Sequence, residues 1–179
     1  DLKNAAKKSE KPDVAVLYSE QPASCAACFT TNKFCAAPVI LDREILKKGK
    51  ARAVVINSGN ANAATGEAGL ELCRKTADYA AEALHIRPEA VLLGSTGVIG
   101  PLIPLDRITA GISAMIPLLS ASEEAAWCAS RAIMTTDTLP KESAVSFELP
   151  SAEGSGAVSV RLGGMCKGSG MIHPNMCTM

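Results

Sequence analysis

Residues 53–97, AVVINSGNANAATGEAGLELCRKTADYAAEALHIRPEAVLLGSTG, decide the fold. Ala53 to Ile56 is a short, unbroken apolar run, the composition of a buried strand, and it stops at the turn-rich Asn57-Ser58-Gly59-Asn60. From Thr65 the period changes. Leu70, Cys73, Ala77, Ala80, Ala81 and Leu84 recur at three- and four-residue steps, which predicts a long amphipathic helix closed by Arg87-Pro88. Ala90 to Leu93 is a second buried strand, and it empties into Gly94-Ser95-Thr96-Gly97. Strand, loop, helix, strand, loop is the order of an α/β domain.

Working outward toward the N-terminus, Asp13 to Glu20 alternates as a strand that Gln21-Pro22-Ala23 is expected to end. Ala37 to Leu41 is short, apolar and β-branched at its centre, which predicts a further β segment. Asp42 would then cap a helical turn through Leu46, and Gly49 would stop it. Downstream, Ile108, Ile112 and Met115 mark an amphipathic helix. Ser120 with Glu123 forms a capping box for another, running through Trp127 to about Ile133. Met134-Thr135-Thr136-Asp137-Thr138 is polar and reads as a loop. Ser143 to Leu149 and Ala157 to Leu162 alternate as the two strands of a hairpin across Pro150 to Gly156, and Gly163 to Met179 reads as turns. No repeat or linker interrupts the chain. The expectation is one α/β (α+β) domain over residues 1–179, whose final strands need a partner chain to complete their sheet.

Composition narrows the function. The 179 residues carry 18 Lys plus Arg against 18 Asp plus Glu, so the chain lacks the basic excess that nucleic acid or anionic lipid would require. Apolar residues reach 47% but aromatics only 3%, which makes an aliphatic core with Trp127 as its single indole. The longest apolar stretch, Ala90 to Leu105, contains Gly and Pro and falls short of the roughly 20 residues a membrane span needs. Asp1-Leu2-Lys3 does not open a signal segment, and a cytoplasmic protein with a trimmed N-terminus is expected. Seven cysteines (25, 28, 35, 73, 128, 166 and 177) are odd in number and irregular in spacing, which suits buried thiols in a reducing compartment. Cys25-x-x-Cys28 finds no second ligand pair, since His85 and His173 are the only histidines, so no metal is expected.

The chain shows no Ser-His-Asp set and no dinucleotide fingerprint. Gly164 to Gly170 resembles a phosphate loop only superficially, because Lys167 is followed by Gly where Ser or Thr is required. More informative are the clusters of hydroxyl, Gly and Asn residues at element ends: Asn57 to Asn62, Ser95 to Gly97, Thr135 to Thr138, and Lys167 to Gly170. A Thr-Gly step after a buried strand sets a hydroxyl and backbone N–H groups side by side, the donor pattern of an oxyanion hole. A helix-entry turn is the alternative reading of the same residues.

Five runs, TTNK (30–33), VVINSGNANAATG (54–66), STGVIG (95–100), MTTDT (134–138) and KGSGMIHPNMCTM (167–179), closely resemble the ornithine acetyltransferase family of arginine biosynthesis, in that family's order and across essentially the whole chain. The resemblance implies the layered α/β fold shared with certain self-processing aminopeptidases, completed by a β chain. It implies a precursor that cuts itself between Cys177 and Thr178, giving α and β chains that assemble as an α2β2 heterotetramer. Thr178 would be the nucleophile, its freed α-amine serving as base. Thr96 and Gly97 match the oxyanion-stabilising pair. Thr135 and Lys167, with Thr178, match substrate-binding positions, and Asp137 is expected to orient its loop rather than touch substrate.

The implied reaction moves acetyl from N-acetylornithine to glutamate through an acetyl-Thr intermediate, without a bound cofactor, acetyl-CoA being a second donor in bifunctional relatives. Cys177 stands where the family has Ala. The chain also runs through Thr178 and Met179, past the expected cut, so this polypeptide alone is expected to be inactive. On this basis Gly97→Val is expected to depress turnover and leave the fold intact. An amidase or aminopeptidase using the same hydroxyl, with water as acceptor, is the rival enzyme. A non-catalytic amino-acid-binding module is the rival of another class.

Overall fold

The structure is a computed structural model that describes residues 11–151, 154 and 156–171. At its centre is a three-stranded sheet, order β1-β2-β4, made of β1 (Val14–Ser24), β2 (Lys50–Asn57) and β4 (Val91–Ser95). β1 runs antiparallel to β2, while β2 and β4 are parallel, with Ala53 opposite Val91 and Asn57 opposite Ser95. The connection between the parallel pair is the expected helix, α2 (Gly66–Leu84). Its apolar stripe buries Cys73, Ala77, Ala80, Ala81 and Leu84 against Ala53, Val55, Val91 and Leu93 of the sheet. Small alanines let the helix lie close to the strands, which is how a chain with so few aromatic residues builds a dense core. α3 (Leu105–Met115) adds Ile108 and Ile112 to the same layer. The opposite face is covered at one end by α4 (Glu123–Ala132), where Ala132 and Ile133 pack on Ala15.

Several expectations are corrected. Ala37 to Leu41 is not a strand but the start of α1 (Ala37–Ile45), because Pro38 sits in the first turn, where its fixed φ and missing N–H suit a helix. Asp42 is accordingly inside that helix rather than capping one, and Gly49, with φ +62°, ends the short 3₁₀ turn that follows. β1 continues past Pro22 to Ser24. A register shift between Tyr18 and Ala23 absorbs the proline, and Arg52 reaches over to the Ser19 and Glu20 carbonyls. The N-cap of α4 is Ser122, whose hydroxyl accepts the Ala125 N–H at 3.2 Å, not Ser120. Trp127 is 44% exposed, with Arg131 stacked over it, rather than part of the core. Of the six described cysteines, all free, only Cys73 is buried; Cys28, Cys128 and Cys166 are exposed.

The hairpin is longer than expected, β6 (Lys141–Pro150) pairing antiparallel with β7 (Ala157–Cys166) as a separate two-stranded sheet. It draws in Gly163 and Gly164, residues read from sequence as turns. Two short strands, β3 (Asn60–Ala61) and β5 (Val98–Ile99), form a small parallel pair just beyond the ends of β2 and β4. Among the described residues no helix is long and apolar enough to cross a membrane, and no group of three or more His, Cys, Asp or Glu is arranged to hold a metal ion.

Candidate active site

Parallel pairing brings the carboxyl ends of β2 and β4 to the same edge of the sheet, so the loops 57–62 and 95–100 meet there. Such a crevice beyond the strand ends is where open α/β sheets hold ligands. The two loops are laced together. Thr96 donates its backbone N–H to the Asn57 carbonyl at 3.0 Å, and Val98 donates to Gly59 at 3.0 Å. The Asn57 side-chain amide donates to the Asn60 carbonyl at 2.7 Å, and Ser95 Oγ donates to the same carbonyl at 3.1 Å while accepting the Asn62 N–H at 2.8 Å. Asn57, Ser58, Asn60 and Asn62 are all buried, and the Asn57, Ser58 and Asn62 side chains and the Asn60 carbonyl each bond inside the protein.

Gly97 has φ +131°, and a side chain there would press into the Gly59 carbonyl and come within 2.7 Å of the Asn60 nitrogen. Only glycine fits. With the Thr96 N–H committed to Asn57, the Thr96 hydroxyl and the Gly97 N–H keep no hydrogen-bond partner among the described residues. Adjacent in sequence and held on a braced loop, they can stabilise negative charge developing on a bound acyl group.

A second cluster gathers the Thr135 and Gly168 backbone and the Lys141 ammonium around Asp137, with Lys167 next to Gly168 in the chain. One carboxylate oxygen of Asp137 accepts the Gly168 N–H at 2.6 Å and the Lys141 ammonium at 2.7 Å, and the other accepts the Thr135 N–H at 3.3 Å. The Asp137 side chain is 2% exposed. Lys141, followed by the two backbone donors, holds its carboxyl well below the usual carboxylate range, against the upward pull of desolvation. Asp137 therefore ties the loop after α4 to the segment after β7. Lys167 is half-buried, its ammonium donating to the Gly168 carbonyl at 3.0 Å. Ser58 joins the two clusters: its hydroxyl donates to the Ala132 carbonyl at 2.6 Å, at the end of α4 and just before Thr135. Thr96 with Gly97 is thus one group, and Thr135 is tied through Asp137 to Gly168, the neighbour of Lys167, in a second, on connected loops. Cys177 and Thr178 lie outside the described residues.

Sequence reasoning gave Ser58 and Asn62 no individual role and placed Asp42 only as a cap. Asn62 donates to the Gly69 carbonyl at 2.8 Å and the Cys73 sulfur at 3.1 Å, and accepts the Thr65 hydroxyl at 2.7 Å, pinning the entry of α2. Burial, then the nearby Asp42 carboxylate, pushes the Cys73 thiol up to about 12 despite the bond from Asn62, so this thiol is inert at neutral pH. The density of Asn and Ser between two apolar elements was the available signal.

The fold and the site together define a layered α/β domain with a hydroxyl and a backbone N–H left unpaired at the carboxyl ends of two parallel strands. The sequence profile of the ArgJ family matches residues 2–179, and the chain belongs to that family. It is 50% identical over 172 residues to the arginine biosynthesis bifunctional protein ArgJ of Caldanaerobacter subterraneus subsp. tengcongensis, covering 96% of this chain and 41% of that protein. It is 47% identical over 179 residues to the protein of the same name from Lactococcus lactis, covering 43% of it. The chain therefore spans about two-fifths of the length of the curated relatives it matches. Among solved structures, ArgJ of Bacillus halodurans superposes with TM-score 0.79 at 38% identity, over 97% of this chain and 86% of that one. The ornithine acetyltransferase of Mycobacterium tuberculosis, solved with ornithine, gives TM-score 0.79 at 36% identity, over 90% and 82%.

Proposed function

We propose that this chain is the α portion of a glutamate N-acetyltransferase that moves acetyl from N-acetylornithine to glutamate in arginine biosynthesis. The observation that carries the proposal is the pair of donors, Thr96 hydroxyl and Gly97 N–H, left without a partner among the described residues on a loop that hydrogen bonds lace to residues 57–62. Family membership and the ornithine complex of a relative support the same substrate class.

After a cut between Cys177 and Thr178, the Thr178 hydroxyl attacks the acetyl carbonyl of N-acetylornithine and passes its proton to its own α-amine. The tetrahedral oxyanion rests on Thr96 and Gly97, a contribution on the order of 3 kcal/mol per donor. The C–N bond breaks, the departing ornithine amine takes the proton, and an acetyl ester remains on Thr178. The glutamate amine then attacks that ester and the same steps run in reverse. Thr135 and Lys167 hold the amino-acid end common to both substrates, Lys167 through its charge to a carboxylate. The enzyme works in the cytoplasm as an α2β2 heterotetramer without a metal or bound cofactor, and acetyl-CoA is a second acetyl donor only if the protein is bifunctional. The α chain alone is inactive.

Intact mass spectrometry of full-length protein, before and after addition of N-acetylornithine, tests the proposal. The expected result is two fragments meeting at Cys177 and Thr178, with one acetyl group on the fragment that begins at Thr178. Release of free acetate in place of transfer to glutamate would move the protein to the amidase class. A single uncut, unacetylated chain would leave a binding module.

A further inference from the structure

The parallel strands β2 and β4 have a second edge, at their amino ends, which the candidate site does not use. Ala51 and Asn57 stand six residues apart on β2, roughly 20 Å along an extended strand. A cleft of about 540 Å³ opens at this amino edge. Lys48, Lys50, Arg52 and Arg87 line it, with His85, and Glu89 is the one acid among the lining residues. Four cations against one carboxylate leave an excess of three positive charges, with His85 counted as neutral. That excess is local, in a chain whose 18 Lys plus Arg match its 18 Asp plus Glu.

The ordinary uses of such cations are absent among the described residues. None of the four forms an ion pair, and neither does Glu89. β2 is the central strand, so Lys50 and Arg52 do not guard a sheet edge. Nor do they cap α2, because its last carbonyls at Ala81 and Glu82 already accept the Ile86 and His85 N–H groups at 2.9 and 3.1 Å. Arg52 is half-buried and fixed in place. Its Nε donates to the Ser19 carbonyl at 3.0 Å, its Nη2 donates to the Tyr18 hydroxyl at 2.7 Å and to the Glu20 carbonyl, and its guanidinium stacks 5.2 Å from the Tyr18 ring centroid. Every one of these partners is neutral, and Nη1 keeps both N–H groups without a partner among the described residues.

We propose that this cleft binds the diphosphate group of a small organic molecule. A held guanidinium with a free pair of donors suits a phosphate oxygen, and the lysines add point charges around it. A terminal diphosphate carries about three negative charges at neutral pH, which matches the excess; a dicarboxylate falls short of it. The cations come from two stretches of chain, 48–52 and 87, a spread that favours two linked phosphates over one. The volume lies within the roughly 300–1,000 Å³ of small-molecule pockets, and Pro22, Ile86 and Ala90 give the organic part an apolar lining. This edge of the sheet takes no part in the proposed acetyl transfer, so the two proposals stand or fall separately.

Titration calorimetry of full-length protein, in magnesium-free buffer at about 0.15 M salt, tests it with ADP, pyrophosphate, inorganic phosphate and succinate. ADP and pyrophosphate are expected to saturate a site, with phosphate and succinate at least tenfold weaker. The double variant Lys48→Gln, Arg87→Gln should weaken ADP binding at least tenfold and melt as the parent does without ligand, since neither side chain holds a bond among the described residues. Arg74→Gln with Lys75→Gln removes the same charge from exposed ion pairs of α2 and should keep the parental affinity. Equal binding of phosphate or succinate would reduce the cleft to a loose anion surface and overturn the proposal. Undiminished ADP affinity in the Lys48 and Arg87 variant, an equal loss in the α2 control, or no saturation by ADP up to roughly 5 mM would overturn it as well.

Discussion

Asp42 accepts the Leu93 N–H at 3.0 Å, so a carboxylate on α1, rather than another strand, closes the outer edge of β4. Edge strands need such protection from unwanted pairing. Here it falls two residues before Ser95, at the strand that delivers Thr96 and Gly97.

Burial pushes the Asp42 carboxyl up to about 6 from its ordinary 3.8, against the pull of the Leu93 N–H. A folded pKa above the unfolded one means that the folded state holds a proton the unfolded state has released. Stability therefore falls as pH rises through that window and stays lower above it. A side-chain amide in place of the carboxyl would keep the acceptor and shed the charge. Full-length Asp42→Asn is expected to melt higher than the unsubstituted protein above pH ~6, the gap closing near pH ~4. A melting-temperature difference that is constant across the series would exclude a buried charge as its cause.

Thr96→Val removes the unpaired hydroxyl while keeping the side chain's shape. Stability should change by less than ~1 kcal/mol, because no intramolecular bond is lost. Turnover should drop by about 10²–10³-fold. Undiminished steady-state turnover would take Thr96 out of the oxyanion role.

Gly97 is a poorer probe than its motif implied, since any side chain there collides with backbone of the 57–62 loop. Gly97→Val cannot leave the local fold intact. Gly97→Ala is expected to cost about 1–3 kcal/mol from the positive φ alone, before the clash is counted. Chemical denaturation would show it, and a wild-type midpoint would mean that the loops are less tightly laced than described.

Asp137→Ala strands the Gly168 and Thr135 N–H groups and the Lys141 ammonium together, an expected loss of about 1–3 kcal/mol. The Asp137 pKa is lowered on folding, so the stability it contributes is present above the ordinary carboxylate pKa and is lost only as pH falls below it. The variant should thus be weaker at neutral pH and converge on the parent in strong acid. If Thr135 and Lys167 hold substrate, KM should rise more than kcat falls; the reverse pattern in steady-state kinetics would separate this cluster from binding.

Lys167→Met keeps the stem and removes the charge that now rests on the Gly168 carbonyl. Melting should move by no more than ~0.5 kcal/mol in equivalent free energy. KM for N-acetylornithine should rise at least tenfold. Unchanged saturation kinetics would return Lys167 to an ordinary solvated charge.

Much of the frame was legible because it is local. The three- and four-residue spacing from Leu70 to Leu84 specifies α2, and the apolar runs at 53–56 and 90–93 specify the parallel pair it connects. Where two local signals compete, tertiary context decides: β-branched Val39 and Ile40 favour a strand, but Pro38 in a first turn favours the helix that forms. The site was legible only where a motif marked it. That Ser58 reaches Ala132, 74 residues away, follows from how α4 lies on β1, and no pattern in the sequence encodes that distance. Asp137 was expected to orient its loop, but its partners, Lys141 and Gly168, come together only when the hairpin folds back.

That folding back makes Asp137 a fulcrum. Each arm of the hairpin is ten residues, roughly 33 Å when extended. Lys141 stands at the root of the outgoing arm and Gly168 just beyond the root of the returning one. Any tilt of the hairpin that keeps those bonds must swing Gly168 and the adjoining Lys167, and must tug on Thr135 through the other carboxylate oxygen. A grip on the far end of the arm is therefore transmitted, with long leverage, to the loop where the amino-acid end of a substrate would lie.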